Sequence, residues 1–197
     1  DETLTLQSVS ERLHVSPTVL KSAFTRIAAR AARMPWRNTG YSSPYGYAPL
    51  RQTIARRLRQ WKGIDCSEEN IVITAGTSQS LALISSVVLE ANDTVIAEDP
   101  GYVRSQQVLE FQSRQVVPVP LDAQGLDIRL ALRRAPQARA ALVSAVKQFP
   151  AGITMSQERR EALLRWAASG NRWIFEDDSH NVPWLSEEAA QPLRAMP

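Results

Sequence analysis

Apolar residues recur at three- and four-residue spacing between residues 3 and 34, at Leu6, Val9 and Leu13 and then at Val19, Leu20, Ala23, Phe24 and Ile27. This period predicts two helices joined by a short turn, the second opened by Ser16 as N-cap and Pro17 at its first position. Beyond residue 48 the pattern alternates. Helical stripes are expected over Pro49–Trp61 (Leu50, Ile54, Leu58, ended by Gly63), Ser80–Leu89, a stretch running to Phe111, Ile128–Arg134, and a helix capped by Ser156 that runs to Ala168. Between them lie short β-branched or apolar runs, Ile71–Thr74, Thr94–Ala97, Val116–Val119, Ala140–Val143 and Trp173–Phe175, which read as strands. Strand and helix in alternation predict an α/β fold, a three-layer, doubly wound, mainly parallel sheet preceded by N-terminal helices.

Two stretches carry candidate chemistry. Trp173-Ile174-Phe175 breaks into Glu176-Asp177-Asp178, so a short, doubly buried strand would deliver Asp177 to the carboxyl end of the sheet, where open α/β folds keep their ligands. The plainer reading is a strand followed by an acidic loop. Ala75-Gly76-Thr77-Ser78-Gln79 joins a strand to a helix. Unpaired N–H groups and the helix dipole suit such a turn to an anion, with hydroxyls of Thr77 and Ser78 to add. A single glycine in a strand-to-helix turn is also commonplace.

Composition narrows the class. With 197 residues, 44% hydrophobic and 22% charged, the chain is long enough for a globular core. Residues 1 to 63 carry a net +8 within a total of +3, leaving about −5 for the rest. That imbalance fits the solvated faces of arginine-rich helices, or an acidic or nucleic-acid partner. Cys66 is alone, which excludes an internal disulfide framework and suits a reducing cytoplasm. No apolar run has membrane-spanning length, no signal-like segment opens the chain, and two histidines, one of them His180, speak against a metal site. The chain opens on Asp1 rather than methionine, and a longer native N-terminus is expected.

Taken in order, Gly40-Tyr41-x-x-Pro44-x-Gly46-x-x-x-Leu50-Arg51, Ile73-Thr74-Ala75-Gly76-Thr77-Ser78-Gln79, Glu98-Asp99-Pro100-Gly101-Tyr102, Gln148-Phe149-Pro150-Ala151-Gly152 and Phe175-Glu176-Asp177-Asp178 resemble fold type I, pyridoxal-phosphate-dependent class I/II aminotransferases. The wording is most similar to the aminotransferase-like domain of MocR-type regulators in the GntR group. The resemblance spans roughly residues 20 to 184, and implies residues 1–38 as a helical segment and 39–197 as a partial large domain that binds pyridoxal 5′-phosphate. It implies that Gly76, Thr77 and Ser78 hold the cofactor phosphate, that Tyr102 stacks on the pyridine ring, and that Asp177 pairs with the ring nitrogen, whose proton makes the ring an electron sink. Tyr41 and Tyr47 lie in a segment that borders the family's active site or dimer contact. Residues 6 to 24 also resemble a bacterial helix-turn-helix that would turn Thr18, Lys21 and Ser22 toward DNA; lead-in helices of the next domain are the competing reading.

Three departures from the family pattern stand out. Ser179 occupies the place of a tyrosine that would donate to the cofactor's phenolic oxygen. Lys147 and Gln148 lie where many aminotransferases carry Asn-Pro, and Phe149 lacks that asparagine's hydrogen bond. The lysines are Lys21, Lys62 and Lys147, none following Asp177, where the family keeps its Schiff-base lysine. No catalytic residue is therefore assigned, and Ser179 joins the cofactor set Gly76, Thr77, Ser78, Tyr102 and Asp177. The resulting expectation is the effector-sensing domain of a MocR/GntR-type regulator, partial and without transaminase activity of its own. It would be cytoplasmic and homodimeric, with DNA and a small amino-acid-like effector as partners and no membrane. The alternatives are a fragment of a working aminotransferase, or a DNA-binding protein that uses its N-terminal helices. A partial sheet would leave apolar surface and strand edges uncovered, so association is expected of the isolated chain.

Overall fold

A computed structural model of the protein describes residues 15–33, 43–179 and 191–196, together with Glu11. The first predicted helix, Tyr41 and His180 lie outside the described residues. The chain divides into two units, Asp1–Pro44 and Tyr45–Pro197. In the first, helix α1 (Pro17–Ala32) begins where the sequence places it, with Ser16 Oγ accepting from Val19 N at 3.3 Å. Its apolar stripe is not buried, and Phe24 and Ile27 are exposed.

The second unit opens with α2 (Ala48–Lys62), which ends at Gly63 in the left-handed conformation that glycine tolerates. There follow α3 (Thr77–Val88), β1 (Thr94–Asp99), α4 (Val103–Phe111), β2 (Gln115–Asp122), β3 (Gly125–Leu126), α5 (Ile128–Arg134), β4 (Ala140–Val143), α6 (Gln157–Ala168) and β5 (Trp173–Glu176). The strands form one sheet in the order β3-β2-β1-β4-β5. All pairs are parallel except the β2–β3 hairpin. The order reverses between β1 and β4, and that reversal opens a crevice at the carboxyl ends of the two strands.

Alternation along β1 builds both cores. Ile96 faces a cluster with Ile128, Ala131, Leu163 and Trp166 from α5 and α6, while Val95 faces Leu81, Leu109 and Phe175 on the side of α3 and α4. The result is the three-layer, doubly wound, mainly parallel arrangement expected from the sequence. Arg159 fastens α6 to the hairpin through Asp122 at 2.7 Å and Asp127 at 2.9 Å. Among the described residues no helix is long and apolar enough to cross a membrane.

Three expectations need correction. Ile71–Thr74 joins no ladder among the described residues; Ile73 N donates to Tyr45 O at 2.9 Å, and Val72 is half exposed. β-branched residues make such a run look like a strand, yet a strand needs a neighbour to pair with. The following helix starts at Thr77 rather than Ser80, because Gly76 (φ 140°, ψ 177°) serves as its N-cap and draws Thr77 and Ser78 into the first turn. Finally, β5 is not doubly buried. It is the outermost strand of the described sheet, so Phe175 is buried while Trp173 is exposed.

Candidate functional site

The loops at the carboxyl ends of β1, β4 and β5 and the start of α3 meet at one place. Gly76 leaves α3 without a side-chain cap, and no acidic residue lies in the first turn, so the leading N–H groups present undiluted positive potential. Gln79 Oε1 folds back to accept from Ala75 N at 2.6 Å, which steadies the turn. A side chain at position 76 would find open space, so the glycine is required by its backbone angle rather than by crowding. Gly101 is the opposite case: a Cβ there would run into the carbonyl oxygen of Glu98, and the tight turn into α4 depends on its absence.

Asp177 follows β5 directly. Its N–H donates to Val143 O at 2.8 Å, continuing the β4–β5 ladder. Its Oδ1 accepts from Ser179 N at 3.1 Å and from the Ser179 hydroxyl. Ser179, predicted to reach a cofactor oxygen, is thus turned onto Asp177 and holds it. Neighbouring Asp178 forms an ion pair with Lys62 of α2, so only one of the two aspartates is directed at the crevice.

Thr77, Tyr102, Phe149, Asp177 and Ser179 line a cavity of about 190 Å³. Tyr102 and Phe149 meet edge to face, with ring centroids 6.1 Å apart at 80°, and form its aromatic wall. Of the predicted set, Thr77, Tyr102, Asp177 and Ser179 are brought together and Gly76 sets the helix start beside them. Ser78 instead lines a separate groove with Ala82, Arg104 and Phe111 between α3 and α4; only its backbone, in the first turn, belongs with Thr77. Lys62 and Lys147 line neither cavity.

Glu98 and Gln148 fall within the quoted motifs, but sequence reasoning gave neither a role at the site. Glu98 ends the central strand β1 and is 5% exposed; Gln148, after β4, is 2% exposed. Glu98 Oε2 accepts from Ser144 N at 3.1 Å and from Gln148 Nε2 at 3.2 Å. The same amide reaches the carbonyls of Pro100 at 2.8 Å and Phe149 at 2.7 Å, and Gln148 Oε1 accepts from Ala151 N at 3.1 Å. Gln148 therefore ties the β4 loop, which carries Phe149, to the turn that carries Tyr102. Burial raises the Glu98 carboxyl to about 7, with Asp177 adding repulsion and the Ser144 and Gln148 hydrogen bonds opposing the rise. The sequence signal for the pair was slight: one acid and one amide, 50 positions apart, each beside a run of apolar residues.

An anion-attracting helix start, an aromatic wall and a carboxylate, arranged around one cavity, can hold a planar heteroaromatic phosphate. The chain matches the family described as aminotransferase class I and II over residues 10–195. It is 33% identical over 159 residues to the uncharacterized HTH-type transcriptional regulator YdfD of Bacillus subtilis (strain 168), covering 80% of this chain and 33% of that protein. It is 30% identical over 158 residues to the probable rhizopine catabolism regulatory protein MocR of Rhizobium meliloti, covering 80% and 32%. Among solved structures, an archaeal alanine:glyoxylate aminotransferase superposes with a TM-score of 0.77 at 28% identity, covering 89% of this chain and 45% of that one. The chain spans about a third of the length of these curated relatives.

Proposed function

Because the chain belongs to the aminotransferase class I and II family, we propose that its second unit is the pyridoxal-phosphate-binding, effector-sensing part of a MocR/GntR-type transcriptional regulator. The observation that carries this reading is the cavity that gathers Thr77, Tyr102, Phe149 and Asp177. Its chemistry matches the ligand end for end. The N–H groups of Thr77 and Ser78, at the uncapped start of α3, would take the phosphate. Tyr102 and Phe149 would flank the ring, and Asp177, steadied by Ser179, would accept the hydrogen bond of a protonated ring nitrogen. When bound, pyridoxal phosphate supplies an aldehyde on an electron-withdrawing ring. What this chain's residues contribute is capture, orientation and a proton held on the ring nitrogen.

Lys62 pairs with Asp178 and Lys147 is not among the residues that line the cavity, which supports the reading that the chain as it stands binds the cofactor without a covalent link and without transaminase activity. Regulator relatives such as the HTH-type YdfD, together with MocR, support the further reading that the whole protein regulates transcription through DNA; that it does so as a cytoplasmic homodimer answering to a small amino-acid-like effector belongs to the same proposal. The binding reading is tested by titrating the chain with pyridoxal phosphate and following its absorbance, beside Asp177→Ala. Saturable binding that the variant weakens by about tenfold or more is expected; a wild type that takes up no ligand overturns the reading. Whether the whole protein senses or transaminates is decided by incubating it with amino acids and a 2-oxo acid, where turnover would favour the enzyme.

A further inference from the structure

Between the carboxyl ends of β1, β4 and β5 lies a second, much smaller cavity of about 20 Å³, lined by residues that include Glu98, Tyr102, Ser105, Ser144 and Asp177. Its volume suits a single water. Two of its lining residues carry buried polar atoms with no hydrogen-bond partner among the described residues, Glu98 Oε1 and Ser105 Oγ. Buried polar groups in native proteins are nearly always satisfied, so an unpartnered carboxylate oxygen beside a polar, water-sized space marks a built feature. Asp177 and Tyr102 line both this cavity and the larger one. The two spaces therefore share a wall, and Asp177 stands in it.

We infer that Glu98 is a positioning residue for Asp177: across the small cavity that both line, its carboxyl adds to the negative field that Asp177 presents to a cationic ring nitrogen in the larger one. The inference rests on reading the larger cavity as a pyridoxal phosphate site, and names the group that regulates it. The surroundings of Glu98 are Ser144 and Gln148 after β4, Asp177 after β5, apolar Val119 on β2, and Tyr102, Ser105 and Gln106 at the start of α4. Of these the titratable groups are the carboxyl of Asp177 and the phenol of Tyr102.

The consequence is a proton linkage. A ligand that brings a positive ring nitrogen to Asp177 brings it near Glu98 as well and favours the ionised form of that carboxyl. Since the free protein holds Glu98 at about 7, ligand binding lowers that value, and affinity gains as pH rises through neutrality. If the value falls by about one unit, wild-type affinity increases about fivefold more than that of a Glu98→Gln variant between about pH 6 and about pH 8. Taking the ratio of the two proteins removes the titrations of the ligand's own phosphate and ring.

The experiment is a pyridoxal phosphate titration of wild type and E98Q across that range, with ¹³C NMR of the Glu98 carboxyl in wild type with and without ligand. The NMR arm needs no variant and stands even if E98Q does not fold. A rising affinity ratio and a Glu98 titration displaced downward by the ligand are expected. Parallel affinities at every pH, or a Glu98 titration the ligand leaves in place, overturn the inference while the cofactor reading stands. A wild type that binds no pyridoxal phosphate at any pH overturns both.

Discussion

Glu98 and Asp177 leave the same edge of one sheet, two strands apart, and meet different surroundings. β1 is the central strand, covered on both faces, so Glu98 emerges into protein, grips a backbone N–H and a buried amide with one oxygen, and is driven toward its neutral form. β5 is the outermost strand of the described sheet, so Asp177 emerges at the rim of the larger cavity, with one oxygen held by Ser179. Strand position within the sheet, rather than residue type, decides which carboxyl is buried and which is offered to a ligand. The buried one is also the better fastened, through Ser144 and Gln148 on one oxygen, because a buried carboxyl needs polar partners.

The contrast is sharpest in the dependence of stability on pH. Glu98 is raised in the folded chain to about 7 from an ordinary value of 4.5, so the folded state binds more protons than the unfolded one across that window. Stability from this group is complete below the unfolded value and is lost as pH climbs to the folded one, a decline of about 3 kcal/mol for a shift of this size. Glu176, also raised by burial, adds to the slope with the same sign. Denaturant melts from about pH 5 to about pH 8 should show the decline, and Glu98→Gln should flatten it.

Next in size is Gln148→Leu. It strips donors from Glu98, Pro100 and Phe149 and leaves buried acceptors unpaired, at a cost of about 2 kcal/mol of unfolding free energy. Loss of the tie should also loosen the aromatic wall and weaken ligand binding. Asp177→Ala inverts the pattern: pyridoxal phosphate affinity should fall by about tenfold or more, as expected for loss of a charged hydrogen bond, while the melting midpoint barely moves. An Asp177→Ala melt as damaged as that of Gln148→Leu would erase the distinction between the two ends. The smallest effect is expected from Ser179→Ala, which removes the hydroxyl donor to Asp177 Oδ1 and keeps the backbone one; ligand affinity should drop about two- to threefold, within the range of one neutral hydrogen bond.

Local chemistry was readable and nonlocal chemistry was not. Ser16 and Ser156 cap their helices and Gly63 ends α2 as the sequence implied, because each depends on a few adjacent residues. The alternating pattern located four of the five strands as runs of the right character, and β3 escaped because two residues carry no period. Ile71–Thr74 misled for the converse reason, a run with strand chemistry and no partner strand among the described residues. At the site, Asp177 and Thr77 were visible through position relative to a strand and a helix start. The pairing of Lys62 with Asp178, 116 positions apart, and the burial of Glu98 against Gln148 depend on chain crossings that no local pattern records. Ser179 was seen as a hydroxyl in a tyrosine's place, whereas the backbone turns it two residues back onto Asp177.

The central claim is that Asp177 meets the ring nitrogen of pyridoxal phosphate. ¹⁵N NMR of pyridoxal phosphate labelled at that nitrogen, added to wild type and to Asp177→Ala, reads the proton directly. A protonated-pyridine shift in the wild type, returning toward the neutral value in Asp177→Ala, is the result predicted. The same nitrogen shift in both proteins, or the free ligand's shift in the wild type, would contradict it.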